Sequence, residues 1–434
     1  MKQRDLYICA LCTAVALPAF GAAQVLIALI NLSTNLFYRG SFSLQANGPS
    51  LQTWGWGCVL VPALGGLIVG LMARFGSKAI RGHGIPEAME QVLVNESRIG
   101  LRMAWLKPLS AAVAIGSGGP FGAEGPIIAT GAALGSLAGQ RLGLQDRERK
   151  LLLAAGAAAG MSAIFGTPLA AVLLALELLL FEFSPSSILA VGLASAAAAG
   201  LRTAFIGSEA AFPMADLHYA GGWALGVYTV IGVPLGFLAV GISRSVFWIE
   251  EQFERLPMHW MWWPVLGGLV VGLIGMLEPR TLGVGYENIT ANLAGSLAGT
   301  ALLAFAALKF LSWSIALGSG TSGGTLAPLM TIGSSFGALM VAAAATAWPT
   351  LGLDPRLGAL AGMAALFSGC SGAVMASLVF AFEATHQMPG ILPLLLCSLT
   401  ATAVAKWLHP HNIMTEKLNR RGVKVPHSWG APIH

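Results

Sequence analysis

Apolar residues run through this chain in long tracts, at about 6–36, 57–73, 108–140, 151–201, 219–243, 261–277, 291–308, 310–353 and 357–405, with short polar stretches between them. Several tracts exceed the roughly 20 residues that a bilayer-spanning helix needs, and the longest have room for two or more segments. The short alternating strands of a membrane barrel are missing. The pattern therefore predicts an all-α polytopic membrane protein. Lys2 and Arg4 precede the first tract, as they would in a signal peptide, but the run is long for a signal core and reads as the first membrane helix.

Composition agrees with the pattern. The chain is 56% hydrophobic and 10% charged, with a mean hydropathy of +0.73, against about 25% charged in ordinary soluble proteins. The net charge of +5 is no nucleic-acid signature, because the basic residues sit in short loops (Arg74, Lys78 and Arg81; Arg98, Arg102 and Lys107; Arg147, Arg149 and Lys150) and in the tail (Lys417, Arg420, Arg421 and Lys424). By the positive-inside bias both termini are cytoplasmic, which implies an even number of crossings. The short stretch after the last tract predicts no soluble regulatory domain. The five cysteines (Cys9, Cys12, Cys58, Cys370 and Cys397) lie mostly within apolar tracts and show no paired spacing, so they read as packing residues with no disulfide or metal site.

Two separated regions match at one offset. "GSGGPFGAEGP" begins at Gly116 and "GSGTSGGTLAP" at Gly318, 202 positions later; "GMSAIF" begins at Gly160 and "GMAALF" at Gly362, again 202 later. Each second element runs into an apolar helix ending in a glutamate, Glu177 or Glu383, which reads as structural. Equal offsets argue for two homologous halves, 1–215 and 216–434. Repeats in a membrane protein point to a transporter or channel with its site between the halves, rather than an enzyme.

Three segments break the apolar pattern with Gly and Pro: "GHGIPEA" (82–88), "GSGGPFGAEGP" (116–126) and "GSGTSGGTLAP" (318–328). Each leads into a helix-forming run, whose first backbone N–H groups are unpaired and carry the positive end of the macrodipole. Glycine lets an ion approach the backbone, and Pro in the first turn loses no needed donor. Three such helix starts converging in a membrane bind an anion through partial charges alone, weakly enough to release it. Glu124 is the one charged residue between Pro108 and Gln140. A charge at the bilayer centre costs about 2.5–3.5 kcal/mol on insertion scales, so retaining one implies a role. A carboxylate beside an anion site competes with the anion, and protonation removes it.

The segments "GHGIP", "GAEGP" and "GGTLAP" resemble the three filter motifs of the CLC chloride channel and transporter family, usually GSGIP, GREGP and GxFxP, and "GTPLAAVLLALE" follows the second as it does there. The resemblance covers nearly the whole chain. It implies two inverted repeats of tilted, partly discontinuous helices and a homodimer with one anion pathway per subunit. It also implies a bacterial inner-membrane protein that moves chloride or other small inorganic anions, needs no cofactor and exchanges protons at Glu124. The positions it places around the anion are Gly82, His83, Gly84, Ile85 and Pro86; Gly122, Ala123, Gly125 and Pro126; Gly324, Thr325, Leu326 and Ala327; and Met414.

Four of these features depart from the family pattern. His83 stands where a serine is usual, Leu326 replaces the phenylalanine of GxFxP, and Met414, in "NIMTEKL", occupies the place of a tyrosine hydroxyl. Proton-coupled members commonly carry a second glutamate where this chain has Leu178. Its loss implies weak or no fixed stoichiometry between anion and proton.

Other features have plainer readings. Trp260, Trp262 and Trp263 fit an interfacial aromatic belt, and Tyr286 and Glu287 read as solvated loop residues. "GSGTSG" matches a dinucleotide motif without the strand and acidic residue that motif requires. "GTSG" (320–323) also matches the GxSG of rhomboid-type intramembrane proteases, with Ser322 as nucleophile, but no histidine is suitably placed and the repeat goes unexplained. A secondary transporter for an organic anion is the nearer alternative, since helix N-termini also receive carboxylates.

Overall fold

The computed structural model describes residues 3–50 and 55–426, so Lys2, counted among the N-terminal cations, lies outside the described residues. Within them the chain forms seventeen α-helices, and its only strand-like pairings are two isolated bridges. The first eight are α1 (Gln3–Arg39), α2 (Leu60–Phe75), α3 (Ile85–Val94), α4 (Leu101–Gly116), α5 (Glu124–Arg141), α6 (Asp146–Phe165), α7 (Pro168–Ala175) and α8 (Pro185–Phe205). A π-helical turn, Leu176–Leu180, extends α7. The next eight are α9 (Gly222–Glu254), α10 (Trp263–Leu277), α11 (Tyr286–Leu293), α12 (Gly299–Gly318), α13 (Leu326–Ala347), α14 (Pro355–Ser371), α15 (Val374–Thr385) and α16 (Ile391–Leu408), and a short α17 (Glu416–Arg420) follows. Eight helices among the described residues are long and apolar enough to cross a membrane. Shorter ones, such as α3 and α11, are broken off by Gly-rich turns.

The packing of the first eight helices recurs in the second eight. α5 packs on α6 as α13 does on α14, and α6 on α8 as α14 does on α16. The cause is a set of small residues spaced along both pairs. Gly131, Gly135, Gly156 and Gly160 are followed, 202 positions on, by Gly333, Gly337, Gly358 and Gly362. A Cβ on Gly131 would stand 2.1 Å from the Gly156 carbonyl oxygen, and one on Gly337 would stand 2.1 Å from that of Gly358. Without side chains the backbones approach closely, which gains dispersion contacts where lipid offers no hydrophobic drive.

α2 meets α10, and α7 meets α15, across the boundary between the two sets. At the second junction each helix is capped by the other set's glutamate. The N–H groups of Met375 and Ala376, opening α15, donate to the Glu177 carboxylate at 3.1 and 3.0 Å. Those of Leu169 and Ala170, opening α7, donate to Glu383 at 3.0 and 2.8 Å. Orphan donors of two short helices are thus satisfied by charge-assisted bonds.

Several positions differ from the sequence reading. The tract 291–308 is not one segment, because α11 ends at Leu293 and α12 begins at Gly299 and runs on to Gly318. Lys107 and Arg149, counted as loop cations, are buried. Arg149 donates to the Glu96 and Leu144 carbonyls at 2.7 and 3.1 Å. Of the three tryptophans read as a belt, Trp262 is exposed but Trp263 is buried, and the Arg81 guanidinium lies over Trp260 and Trp263 at 5.0 and 5.4 Å. All five cysteines are buried.

Candidate functional site

The three Gly/Pro segments meet. Gly82 bridges to Ser322, and Gly122 bridges to Gly324. Gly122 and Gly324 exchange both backbone hydrogen bonds, at 3.3 and 3.0 Å, although 202 positions separate them. The Gly323 N–H donates to the Gly82 carbonyl at 3.3 Å. Immediately after these contacts α3, α5 and α13 begin, at Ile85, Glu124 and Leu326. Pro86, Pro126 and Pro328 occupy their first turns, where a missing N–H costs nothing.

Two glycines explain why the segments need this composition. Gly84 has φ +93°, a conformation L side chains rarely adopt, and a Cβ there would meet the Gly125 carbonyl oxygen at 2.4 Å. A Cβ on Gly125 would meet the His83 carbonyl oxygen at 1.9 Å. Side chains at either place would push the first and second segments apart.

Glu124 is fully buried at the first position of α5. Its carboxylate lies over Gly122 and Gly324, and an added Cβ on Gly324 would stand 2.9 Å from Oε2. No hydrogen bond of ordinary geometry reaches either oxygen. The donors that face it are the Tyr286 hydroxyl and the backbone N–H groups of Glu124 and Ala327. The first turns of α5 and α13 thus address one carboxylate with partial positive charge. Other unpartnered buried polar atoms belong to the same segments, namely His83 Nδ1 and Thr325 Oγ1.

Lys107 supports the first segment. Its Nζ donates to the Ile80 and Gly82 carbonyls at 2.8 and 2.9 Å, and the Gly84 N–H donates to Glu87 at 2.6 Å. Lys309, 202 positions after Lys107, is likewise buried and donates to the Thr281 carbonyl at 3.0 Å, in the turn before α11. The equal offset of the two lysines is present in the sequence, but a single cation inside or beside an apolar tract carries no local signal of its buried partner.

Two cavities open onto this cluster. One, of about 390 Å³, is lined by Gly82, His83, Arg81, Glu87, Ile413 and Lys417 among others. Met414 is itself fully buried beside that lining residue Ile413. The other, of about 540 Å³, ends at Tyr286 and includes Phe165, Arg202, Glu209 and Phe212. Tyr286 is therefore no solvated loop residue. It opens α11, is half-buried, and its hydroxyl accepts from the Ala123 N–H at 3.3 Å. Glu287, next to it, is exposed. Only the fold could reveal this difference, because Tyr286 is 162 positions from Glu124 in sequence.

Ser322 is fully buried, and its hydroxyl takes a hydrogen bond from Ser110 at 3.2 Å. His386 caps α15 in a left-handed conformation, and His409 is bonded to the His411 carbonyl at 2.6 Å. None of these pairings makes a serine nucleophile and its base.

The sequence model of the voltage gated chloride channel family matches residues 65–406 of this chain. The H(+)/Cl(-) exchange transporter ClcA of Vibrio campbellii is 30% identical over 384 residues, 86% of this chain and 81% of that protein. The transporter of the same name from Yersinia pestis is 30% identical over 348 residues, covering 78% of this chain and 72% of its own. Among solved structures, that of a slow cyanobacterial Cl-/H+ antiporter superposes with a TM-score of 0.85, at 22% identity, over 97% of this chain and 98% of its own.

Proposed function

Because this chain belongs to the voltage gated chloride channel family, we propose that it carries small inorganic anions, chloride foremost, across a membrane, with protons as the second substrate, through the site around Glu124. It is a multi-pass integral membrane protein. The observation that carries the reading is the meeting of the α3, α5 and α13 N-termini, with the first turns of α5 and α13 facing one buried carboxylate.

The chemistry follows from that geometry. Backbone N–H groups in the first turns of α3, α5 and α13, prolines apart, offer partial positive charge, and glycine leaves them within an anion's reach. The Glu124 carboxylate competes for the same donors as a tethered anion. Protonation removes its charge, and the position passes to the mobile anion. The Tyr286 cavity leads to the outside and the His83 cavity to the cytoplasm, where its wall carries both cations (Lys78, Arg81, Lys417 and Arg421) and acids (Glu87, Glu90, Glu250 and Glu254). His83 serves the anion from that side, and both termini are cytoplasmic in a bacterial inner membrane. The halves, 1–215 and 216–434, are inverted repeats, and the working unit is a homodimer.

The test is reconstitution of the purified chain in chloride-loaded liposomes, with anion efflux and pH recorded together across a series of halides. Chloride efflux well above that of protein-free liposomes is expected. Absence of efflux for every halide, with uptake of an organic carboxylate instead, would replace this reading with the organic-anion alternative.

A further inference from the structure

The Tyr286 hydroxyl is placed where a ligand of the site would be. It accepts from the Ala123 N–H at 3.3 Å, one of the backbone groups at the head of α5, and it faces the Glu124 carboxylate. A phenol has one proton to give. With the Ala123 N–H taken on its lone pairs, that proton is directed at whatever negative group stands in front of it.

The ring is held for this purpose. Phe165 and Phe212 meet it edge-on at 5.5 and 5.8 Å, and Phe380 backs Phe165 at 5.2 Å. The start of α11 is fixed by Gly285 at φ +73°, by Lys309 on the Thr281 carbonyl at 3.0 Å, and by Asn288 on the Arg280 carbonyl at 2.7 Å. The cavity of about 540 Å³ that ends at this ring carries one cation and one acid, Arg202 and Glu209, on its wall, so a small anion has a route as far as the hydroxyl.

We propose that Tyr286 is the side-chain ligand of the outer anion position, donating to the Glu124 carboxylate when that carboxylate occupies the position and to the mobile anion when it does not. This rests on the reading that carboxylate and anion exchange at one place. The other charged groups around the pair are Arg202 from α8, Glu209 after it, Glu287 on α11, Lys309 on α12, and Lys107 and His83 beside the first segment. All are unchanged by Tyr286→Phe, which keeps the ring packing and removes only the hydroxyl.

Two measurements decide the matter. In chloride titrations by calorimetry on detergent-purified protein, Glu124→Ala/Tyr286→Phe should bind roughly tenfold more weakly than Glu124→Ala, the size expected of one donor to a charge. With Glu124 intact, Tyr286→Phe should raise the external-pH midpoint of anion efflux by about one unit. The sign follows because a lost donor destabilises the charged carboxylate, which is then protonated at higher pH. Equal affinities in the two Ala backgrounds, or an unshifted midpoint, would overturn the assignment. If Glu124→Ala alone binds no chloride, the reading of the site itself is what fails.

Discussion

A carboxylate at the first position of a helix is held by the N-terminal dipole even where no cation touches it. Glu124 is in that position on α5 and is faced as well by the Ala327 N–H of α13. On the proposed function its negative charge and a mobile anion compete for the same donors. In the native chain external acid should raise anion flux by neutralising the competitor. Glu124→Ala should leave flux that no longer responds to external pH, and Glu124→Gln should behave as the protonated form at every pH; efflux recorded between acidic and neutral external pH checks both. His83 and Met414 show how far residue identity alone reaches. The first has a buried, unpartnered Nδ1 at the edge of a cavity, while the second is fully buried and its thioether offers no hydrogen to an anion.

At the scale of elements, α7 and α15 are too short to be stable alone and depend on what caps them. Glu177 and Glu383 each bind two N–H groups at the head of the opposite helix. Glu177→Ala and Glu383→Ala should each lower stability by about 0.5–2 kcal/mol, as the loss of a cap does. Thermal unfolding in detergent should show the lowered midpoint, while Glu124-dependent anion efflux persists. Both glutamates read as structural from the sequence, and the structure supplies their partners. Lys107 and Lys309 act on turns rather than helices. Each ammonium is solvated by backbone carbonyls and so fixes where α3 and α11 begin.

For the whole molecule, the proposed function gives Glu124 the outer half of a proton route and leaves the inner half without a carrier. Leu178 follows Glu177 and carries no exchangeable proton. Anion and proton fluxes recorded together should therefore show weak or no fixed stoichiometry. Robust uphill proton movement driven by a chloride gradient would contradict this. The long apolar tracts, the equal 202-residue offset and the three Gly/Pro segments were legible because each is a local pattern: membrane helices must satisfy their backbones internally, and close backbone approach demands glycine. From those the all-α class and the repeated order follow, and Glu124 stands out as the candidate residue. What only the tertiary structure decided are relations between residues far apart in sequence. Gly122 pairs with Gly324, Lys107 holds the Gly82 turn, Trp263 is covered by Arg81, and Tyr286 reaches the head of α5. A tyrosine in a polar stretch has no local signal for such a contact, because its partner is chosen by how α11 packs and not by its neighbours in the chain.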